Sequence, residues 1–242
     1  LYQGEWVWLT SASAHPEGNA VALIPALPAI VVVVGPPPTS PQVSLRWSAS
    51  APPPEGALLG ATWLHPLGYQ VASDGSLVAG PSRLPPGGYR VIPVVQNGSS
   101  GTFDGALIDG ILANEERRQR HLERLVALAT EGEYAGVALD YRRLDLSRRD
   151  AFTAFVVDLA EALHAQGRLL YLDVPLPQQG GGGWNDGAYD WRRLGEVVDA
   201  LIICPPKDLS FYSARMGEVL RYGISQVERR KLRLGINTSS HE

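Results

Sequence analysis

Short apolar runs alternate with stretches that have the period of amphipathic helices from about residue 41 to the end of the chain. Several of these runs are apolar at consecutive positions, which is typical of strands covered on both faces. Strands that alternate with helices form parallel βαβ units, so the pattern argues against an antiparallel or all-helical fold. The predicted strands are Val43–Trp47, Leu58–Trp63, Tyr89–Val95, Tyr134–Asp140, Leu169–Val174, Ala200–Cys204 and Leu232–Ile236.

The predicted helices between these strands carry their apolar residues on one face. Asn114 is placed to cap a helix that runs to about Thr130. Ser147, with Asp150 three residues later as a capping-box partner, is placed to cap the next helix, which Gly167 ends. The expected buried stripe of that helix comprises Phe152, Phe155, Val156, Leu159 and Leu163. Shorter helices are predicted around Leu194–Val198 and Met216–Leu220.

The strand count decides between architectures. A chain of 242 residues is long enough for an α/β fold of the TIM-type (β/α)8 barrel class, which we predict over residues 41–242. Seven strands are counted where a closed barrel needs eight, so either the C-terminal end of the barrel is missing or a strand in the valine run 29–34 fills the gap. The usual order of barrel strands favours the first. Residues 1–40 predict a β-rich N-terminal extension or the end of a preceding domain.

Composition excludes several classes of function. The net charge of −4 and the pI of about 5.8 give no bulk attraction to nucleic acid or to an anionic membrane. The most apolar stretch, Val21–Val34, is short and broken by prolines, so no transmembrane segment is expected. The single cysteine, Cys204, fits a reducing compartment or an exported protein without disulfides. The chain starts at Leu1, which leaves a removed leader open.

The segment 134–142, Tyr-Ala-Gly-Val-Ala-Leu-Asp-Tyr-Arg, resembles the fourth-strand signature of glycoside hydrolase family 18, the group of chitinases and spore-cortex hydrolases. That signature reads roughly aromatic-Asp-Gly-φ-Asp-φ-Asp-aromatic-Glu, where φ is apolar. The matching positions are Gly136, Val137, Leu139, Asp140 and Tyr141. Weaker likenesses follow in the family's order at 74–77, 91–95, 150–163, 189–199 and 231–235, so that the resemblance spans about 43–242.

The departures from this pattern fall on positions that the family uses in catalysis. Arg142 stands at the position of the general acid, and Ala138 at that of the aspartate that assists it. Ala135 replaces the first aspartate of the signature. Cys204-Pro-Pro-Lys207 stands where the family usually has Met-x-Tyr-Asp, the residues that hold the acetamido group of the substrate. The resemblance therefore implies a barrel without a catalytic residue.

The chemistry makes the missing acid decisive. Glycoside hydrolysis needs a carboxylic acid of raised pKa that protonates the leaving oxygen. An arginine stays protonated at every accessible pH and cannot serve as that acid. General acid catalysis typically contributes about 10²–10⁴-fold, so its loss alone nearly silences turnover. We therefore expect the chain not to be an active enzyme.

Residues near the predicted strand ends are the candidate ligand contacts, because barrel sites are built at that face. They are Trp63, Gln96, Asn97, Asp140, Tyr141, Arg142, Asp173 and Trp184. Asp140 either contacts a ligand or pairs with Arg142 or Arg143 to hold a loop. Arg142 either binds a carboxylate, such as a muramyl lactyl or peptide group, or is a solvated arginine.

The other candidates have equally plain alternatives. Gln96 and Asn97 suit sugar hydroxyls, or a turn that continues into Gly98. Trp63 stacks on a sugar ring or is buried, and Trp184 lies in a glycine-rich loop as a candidate aromatic contact. The histidine spacing predicts no metal site, and no nucleophile elbow or phosphate loop is found, so no cofactor is expected.

Three functions remain open from the sequence. The first is a non-catalytic family 18-like domain that binds peptidoglycan or a chitin-like glycan, or serves as a structural module, at an extracellular or cell-surface location. The second is an active glycosidase with a displaced carboxylate, for which Asp140, Asp145 and Asp173 are the candidates. The third is a purely structural subunit of a larger assembly.

Overall fold

A computed structural model gives the fold. It describes residues 13–14, 20–21, 43–48, 58, 60–78, 80–81, 83–99, 102–180, 183–204 and 214–235. The chain divides into two compact units, Leu1–Pro41 and Gln42–Glu242. In the first unit, β1 (Ser13–Ala14) pairs antiparallel with β2 (Ala20–Val21). The strand predicted in the valine run 29–34 lies outside the described residues.

Seven parallel strand positions follow one another in the second unit. Two of them are interrupted, because Gly68 bends the backbone with φ of 120° and Pro93 has no N–H to donate to a ladder. In chain order they are β3 (Ser44–Trp47), β4 (Trp63–Pro66) with β5 (Tyr69–Val71), β7 (Arg90–Val91) with β8 (Val94–Gln96), β11 (Gly136–Asp140), β12 (Leu169–Val174), β15 (Ala200–Ile203) and β16 (Leu232–Leu234). Shorter antiparallel pieces are β6 (Leu77–Val78), which pairs with β5, β9 (Gly98–Ser99) with β10 (Thr102–Phe103), and β13 (Gln178–Gly180) with β14 (Gly183–Asn185).

Each strand position pairs in parallel with the next one in sequence. The predicted α/β fold with a parallel sheet is therefore confirmed, while a closed eight-stranded barrel stays a prediction. The predicted strand Leu58–Trp63 is wrong in its bounds. Leu58 and Gly60 lie in turns, and the ladder with the first strand starts where Thr62 and Trp63 donate backbone hydrogen bonds to Val43.

Five helices of the described chain cover the sheet. They are α1 (Gly105–Leu112), α2 (Glu115–Glu131), α3 (Arg149–His164), α4 (Trp191–Val197) and α5 (Met216–Gln226). Asn114 caps α2 as predicted, since its side chain accepts from the Arg117 N–H. The predicted Ser147 cap is wrong: Asp145 accepts from the Ser147 N–H and starts a short 3-10 turn, Leu146–Arg148, that leads into α3.

The two faces of the sheet have different surroundings. On the outer face, alternate residues of β11 and β12, such as Val137, Leu139 and Leu172, are fully buried in one large apolar core with the helices. The predicted stripe of α3 belongs to that core, and its members are at most 1% exposed. The inner face carries a smaller apolar cluster that includes Trp63, Ala138 and Tyr171, followed along the strands by charged residues.

The charged residues of the inner face show that the sheet is strongly curved. Arg46 on β3 and Asp173 on β12 are separated by three intervening strand positions. Four strand spacings amount to roughly 19 Å in a flat sheet. The Arg46 Nη2 atom nevertheless lies 2.5 Å from the Asp173 carboxylate, so the strands must curl around this inner face. The curvature brings the carboxyl ends of the strands around one cluster of side chains.

Candidate functional site

An ion network lies on the inner face at the carboxyl ends of the strands. Arg46 contacts Asp173 at 2.5 Å and Asp140 at 3.6 Å, and Arg142 pairs through Nε with the other oxygen of Asp140. Gln96 donates to Asp140 at 3.0 Å. We call these five residues the inner ion network. Two arginines thus face two aspartates, and the charges balance within the network.

Burial sets the electrostatics of the network. The Asp173 side chain is fully buried, and this burial raises its pKa even though the guanidinium of Arg46 opposes the shift. Burial alone would lower the pKa of Arg46, but the facing carboxylates outweigh it and raise that pKa, so the arginine stays charged. Cys204 donates its thiol proton to Asp173 at 3.2 Å, and burial raises the pKa of this thiol to about 12.

Asn97 holds the end of β11 in place. Its side-chain oxygen accepts from the backbone N–H of Arg142 at 2.9 Å, and its amide nitrogen donates to the carbonyls of Arg142 and Asp104. The residue is fully buried, with partners on both ends of its amide. Asn97 therefore positions the strand end, and its side chain is occupied by backbone groups.

A layer of aromatic and imidazole rings lies beneath the ion network. His65 pairs in register with Arg46 and packs against Tyr171 with a ring separation of 5.6 Å. Burial, together with the charge of Arg46, lowers the pKa of His65 to about 4, so the ring is neutral at physiological pH. Trp63 is 7% exposed, lies near the ring of Tyr171 and carries the guanidinium of Arg90 on its face. Of the two predicted roles for Trp63, stacking on a sugar or burial in the protein, the structure matches burial.

Two predicted contacts lie away from the inner ion network. The prediction that Tyr141 contacts a ligand at the inner face is wrong. Its side chain faces outward and is fully buried, with the hydroxyl 2.6 Å from His121 Nε2. The neighbouring β11 residue Asp140 faces inward, as the alternation of a strand requires. Trp184 lies on β14 and stacks on Tyr222 of α5 at 5.4 Å, so one face of its ring is covered by protein.

The structure thus brings together Gln96, Asp140, Arg142 and Asp173 from the predicted set. The sequence interpretation missed Arg46, whose partner in the network lies 127 residues away. A local signal existed, because a charged residue in the short strand Ser44–Trp47 must face either solvent or other charges. Among the described residues, no group of three or more metal-binding side chains is found, and no helix has the length and apolarity to cross a membrane.

Comparison with known proteins gives glycosylases as relatives. No family model matches the chain. The chain is 28% identical over 158 residues to the "Putative sporulation-specific glycosylase YdhD" of Bacillus subtilis, covering 61% of this chain and 37% of that protein. It is 25% identical over 100 residues to the "Uncharacterized glycosylase YvbX" of the same organism, covering 40% and 28%. The chain thus spans about a third of the length of the curated relatives that it matches.

Solved structures of low sequence identity share the fold. The spore cortex-lytic enzyme SleL of Bacillus cereus superposes with a TM-score of 0.68 at 20% identity, covering 82% of this chain and 51% of that one. SleL of Bacillus megaterium gives 0.67 at 22%, covering 88% and 54%. A class V chitinase from Pseudomonas fluorescens gives 0.59 at 23%, covering 69% and 59%. The chain therefore has the α/β fold of the chitinases and spore cortex-lytic enzymes, and its relatives are glycosylases.

Proposed function

We propose that this chain is a non-catalytic relative of the chitinases and spore cortex-lytic enzymes, and that it binds a cell-wall glycan such as peptidoglycan or a chitin-like polymer. The observation that carries the proposal is the pairing of Arg142 with Asp140 at the carboxyl end of β11. The family resemblance puts the general acid at position 142. A guanidinium fixed there cannot deliver a proton to a leaving oxygen.

The rest of the site agrees with loss of catalysis. Asp140 is held by Gln96, Arg46 and Arg142, so its carboxylate is already occupied by three partners. Ala138 lies in the fully buried apolar cluster of the inner face, where the resemblance would place an aspartate. These contacts support the loss of catalysis, because they leave no free carboxylic acid at the end of β11 to protonate a leaving oxygen.

An active glycosidase is the second candidate, and one observation favours it. The pKa of Asp173 is raised by burial, which is the property that a general acid requires. The side chain is fully buried, however, and its oxygens contact Arg46 and Cys204. Asp145 is exposed, and the hydrogen bonds from Ser147 lower its pKa, so it stays ionised and is a poor acid. A substrate would have to displace the inner ion network to use Asp173.

Location follows from the proposed ligand. Spore cortex-lytic enzymes and chitinases are named for polymers that lie outside the cytoplasm, so we place this chain at the cell surface or outside the cell. A purely structural role in a larger assembly is the alternative to glycan binding.

A co-sedimentation experiment separates the glycan-binding role from the purely structural one. The full chain is incubated with insoluble peptidoglycan and, separately, with chitin, and the bound fraction and the released reducing ends are both measured. We expect retention on at least one polymer without release of reducing ends. Absence of retention on both would remove the glycan-binding proposal, and release of reducing ends would favour the active glycosidase.

A further inference from the structure

The Arg142 side chain is held in one orientation by a hydrogen bond from its Nε atom. Its Nε donates to Asp140, and among the described residues no hydrogen bond from its two terminal amino groups is found. An arginine carries five N–H donors in a rigid fork, and the four on its terminal nitrogens have no hydrogen-bond partner among the described residues. The side chain is 18% exposed. The Phe103 ring centroid lies 6.0 Å from the guanidinium carbon, and the exposed part of the side chain is within reach of an incoming group.

The backbone beneath this side chain is fixed. Asn97 holds both the N–H and the carbonyl of Arg142 at 2.9 Å. The next residue, Arg143, has φ of 61°, a left-handed conformation that costs free energy for a non-glycine residue. A Cβ on Gly105 would collide with the Arg143 carbonyl, so the N-terminus of α1 packs closely on this turn. A binding group that is held in this way loses little freedom when a ligand arrives.

The charges around the guanidinium are balanced, since burial would lower the pKa of Arg142 but both Asp140 and Asp173 act on it and raise its pKa. The preference for an anion therefore rests on the geometry of the guanidinium. The carboxylate of Asp140 is shared with Arg46 at 3.6 Å and with Gln96 at 3.0 Å, so it does not neutralise Arg142 alone. A planar guanidinium with two parallel donors matches a carboxylate in geometry as well as in charge. A sugar hydroxyl needs neither the fork nor the charge.

We propose that Arg142 binds a carboxylate on the glycan, and that the site therefore selects carboxylate-bearing saccharides of the muramic acid type over neutral ones. This inference rests on the proposed glycan-binding function. The terminal donors of a pre-oriented arginine at the carboxyl edge of the sheet carry it.

The test compares two ligands that differ only in the charge of their lactyl groups. The probes are a soluble oligomer of alternating N-acetylglucosamine and N-acetylmuramic acid with free lactyl carboxylates, and the same oligomer as its methyl ester. Affinities of the full chain are measured by calorimetry at low and high salt. We expect the acid to bind about tenfold or more tightly than the ester, with a preference that weakens in salt.

Variants assign the preference to one side chain. Arg142→Gln should reduce the ratio of the two affinities to about one, and Arg142→Lys should keep part of it, because a lysine retains the charge but loses the fork. Arg143→Gln removes the same charge one residue away on an exposed side chain and should leave the ratio unchanged. Thermal unfolding shows whether each variant is folded. If Arg142→Gln does not fold, the wild-type ratio and Arg142→Lys decide.

The outcomes separate the two proposals. Equal binding of acid and ester by the wild type, or an equal loss of both in Arg142→Gln, overturns carboxylate recognition and leaves glycan binding standing. Absence of binding to either probe and to both insoluble polymers overturns glycan binding, and carboxylate recognition with it.

Discussion

Arg46 ties strand positions that are far apart in the sequence. Its guanidinium meets the carboxylates of Asp173 and Asp140, which lie on two other strands. Burial is the largest cause of the raised pKa of Asp173. The cost of removing this carboxylate from water is therefore larger than its electrostatic attraction to Arg46. The network therefore fixes the relative positions of the strands more than it stabilises the fold. Removal of one partner would still destabilise the fold, because it would leave a buried charge unpaired.

Arg46→Met should destabilise the chain by about 3 kcal/mol, the low end for a broken buried pair, because a third of the Arg46 side chain is exposed. Without its partner, the pKa of Asp173 rises further above its unfolded value. The destabilisation should then be largest at neutral pH and shrink as the pH falls and the carboxyl takes up a proton. Chemical denaturation across pH measures this. Arg46→Met with Asp173→Asn should recover stability, and a double variant no better than Arg46→Met would contradict the pairing.

His121 is a neutral histidine of the core. Its Nδ1 lies 2.9 Å from the Gly75 carbonyl and must donate, so Nε2 accepts from the Tyr141 hydroxyl at 2.6 Å. The ring also stacks on Phe155. Burial lowers the pKa of His121 to about 4. This ring packs in the core and positions the Tyr141 hydroxyl.

The stability of the chain should therefore fall on the acid side. Unfolded His121 takes up a proton below about pH 6.5, whereas the folded ring resists until about pH 4, so stability is lost as the pH falls between these values. The loss should reach about 3 kcal/mol for this group. The free energy of unfolding of wild type and His121→Gln, measured between pH 7 and 4, should show a shallower slope in the variant. His164→Gln, at an exposed position, should retain the wild-type loss.

Among the elements, helices with a strong apolar stripe were the most predictable from sequence. The stripe of α3 predicted its buried face, because packing against the sheet requires that spacing. The capping residue before α3 was wrong, since Asp145 and Ser147 are both good caps and the local sequence does not show that Asp145 starts a 3-10 turn first. α1 was missed because it is short and contains Gly105 and Gly110. The hairpin of β13 and β14 was read as an irregular glycine-rich loop.

Phe155→Ala should cost about 3–5 kcal/mol, because the ring is 1% exposed between α3 and the rest of the core, and its loss leaves a cavity. Asp158→Ala, at an exposed position of the same helix, should change stability by less than about 0.5 kcal/mol. Urea denaturation with unchanged m-values is the measurement. A cost below about 1 kcal/mol for Phe155→Ala would mean that the helix packs differently.

In the unit Gln42–Glu242 as a whole, the order of the parallel strands was predictable, and so were four of the five residues of the inner ion network. Asp140, Arg142 and Asp173 stand at strand ends, where the alternation of strands and helices places them. Arg46 joins them only because the sheet curls, and no local pattern encodes curvature. The opposite faces of Asp140 and Tyr141 follow from strand alternation, which the sequence interpretation did not apply when it named both as contacts.

Hydrolysis of a fluorogenic N-acetylglucosamine oligomer, measured for the wild type and for Arg142→Glu with an active chitinase as positive control, tests the loss of catalysis most directly. We expect no turnover by either protein. A carboxyl group at position 142 would still lack the aspartate that the family resemblance places at position 138, where this chain has alanine, and groups that act together in catalysis are strongly non-additive. Clear turnover by the wild type would contradict the non-catalytic proposal. Strong activity of Arg142→Glu alone would instead show that the remaining site is intact and that the comparison of Cys204–Lys207 with the family pattern is wrong.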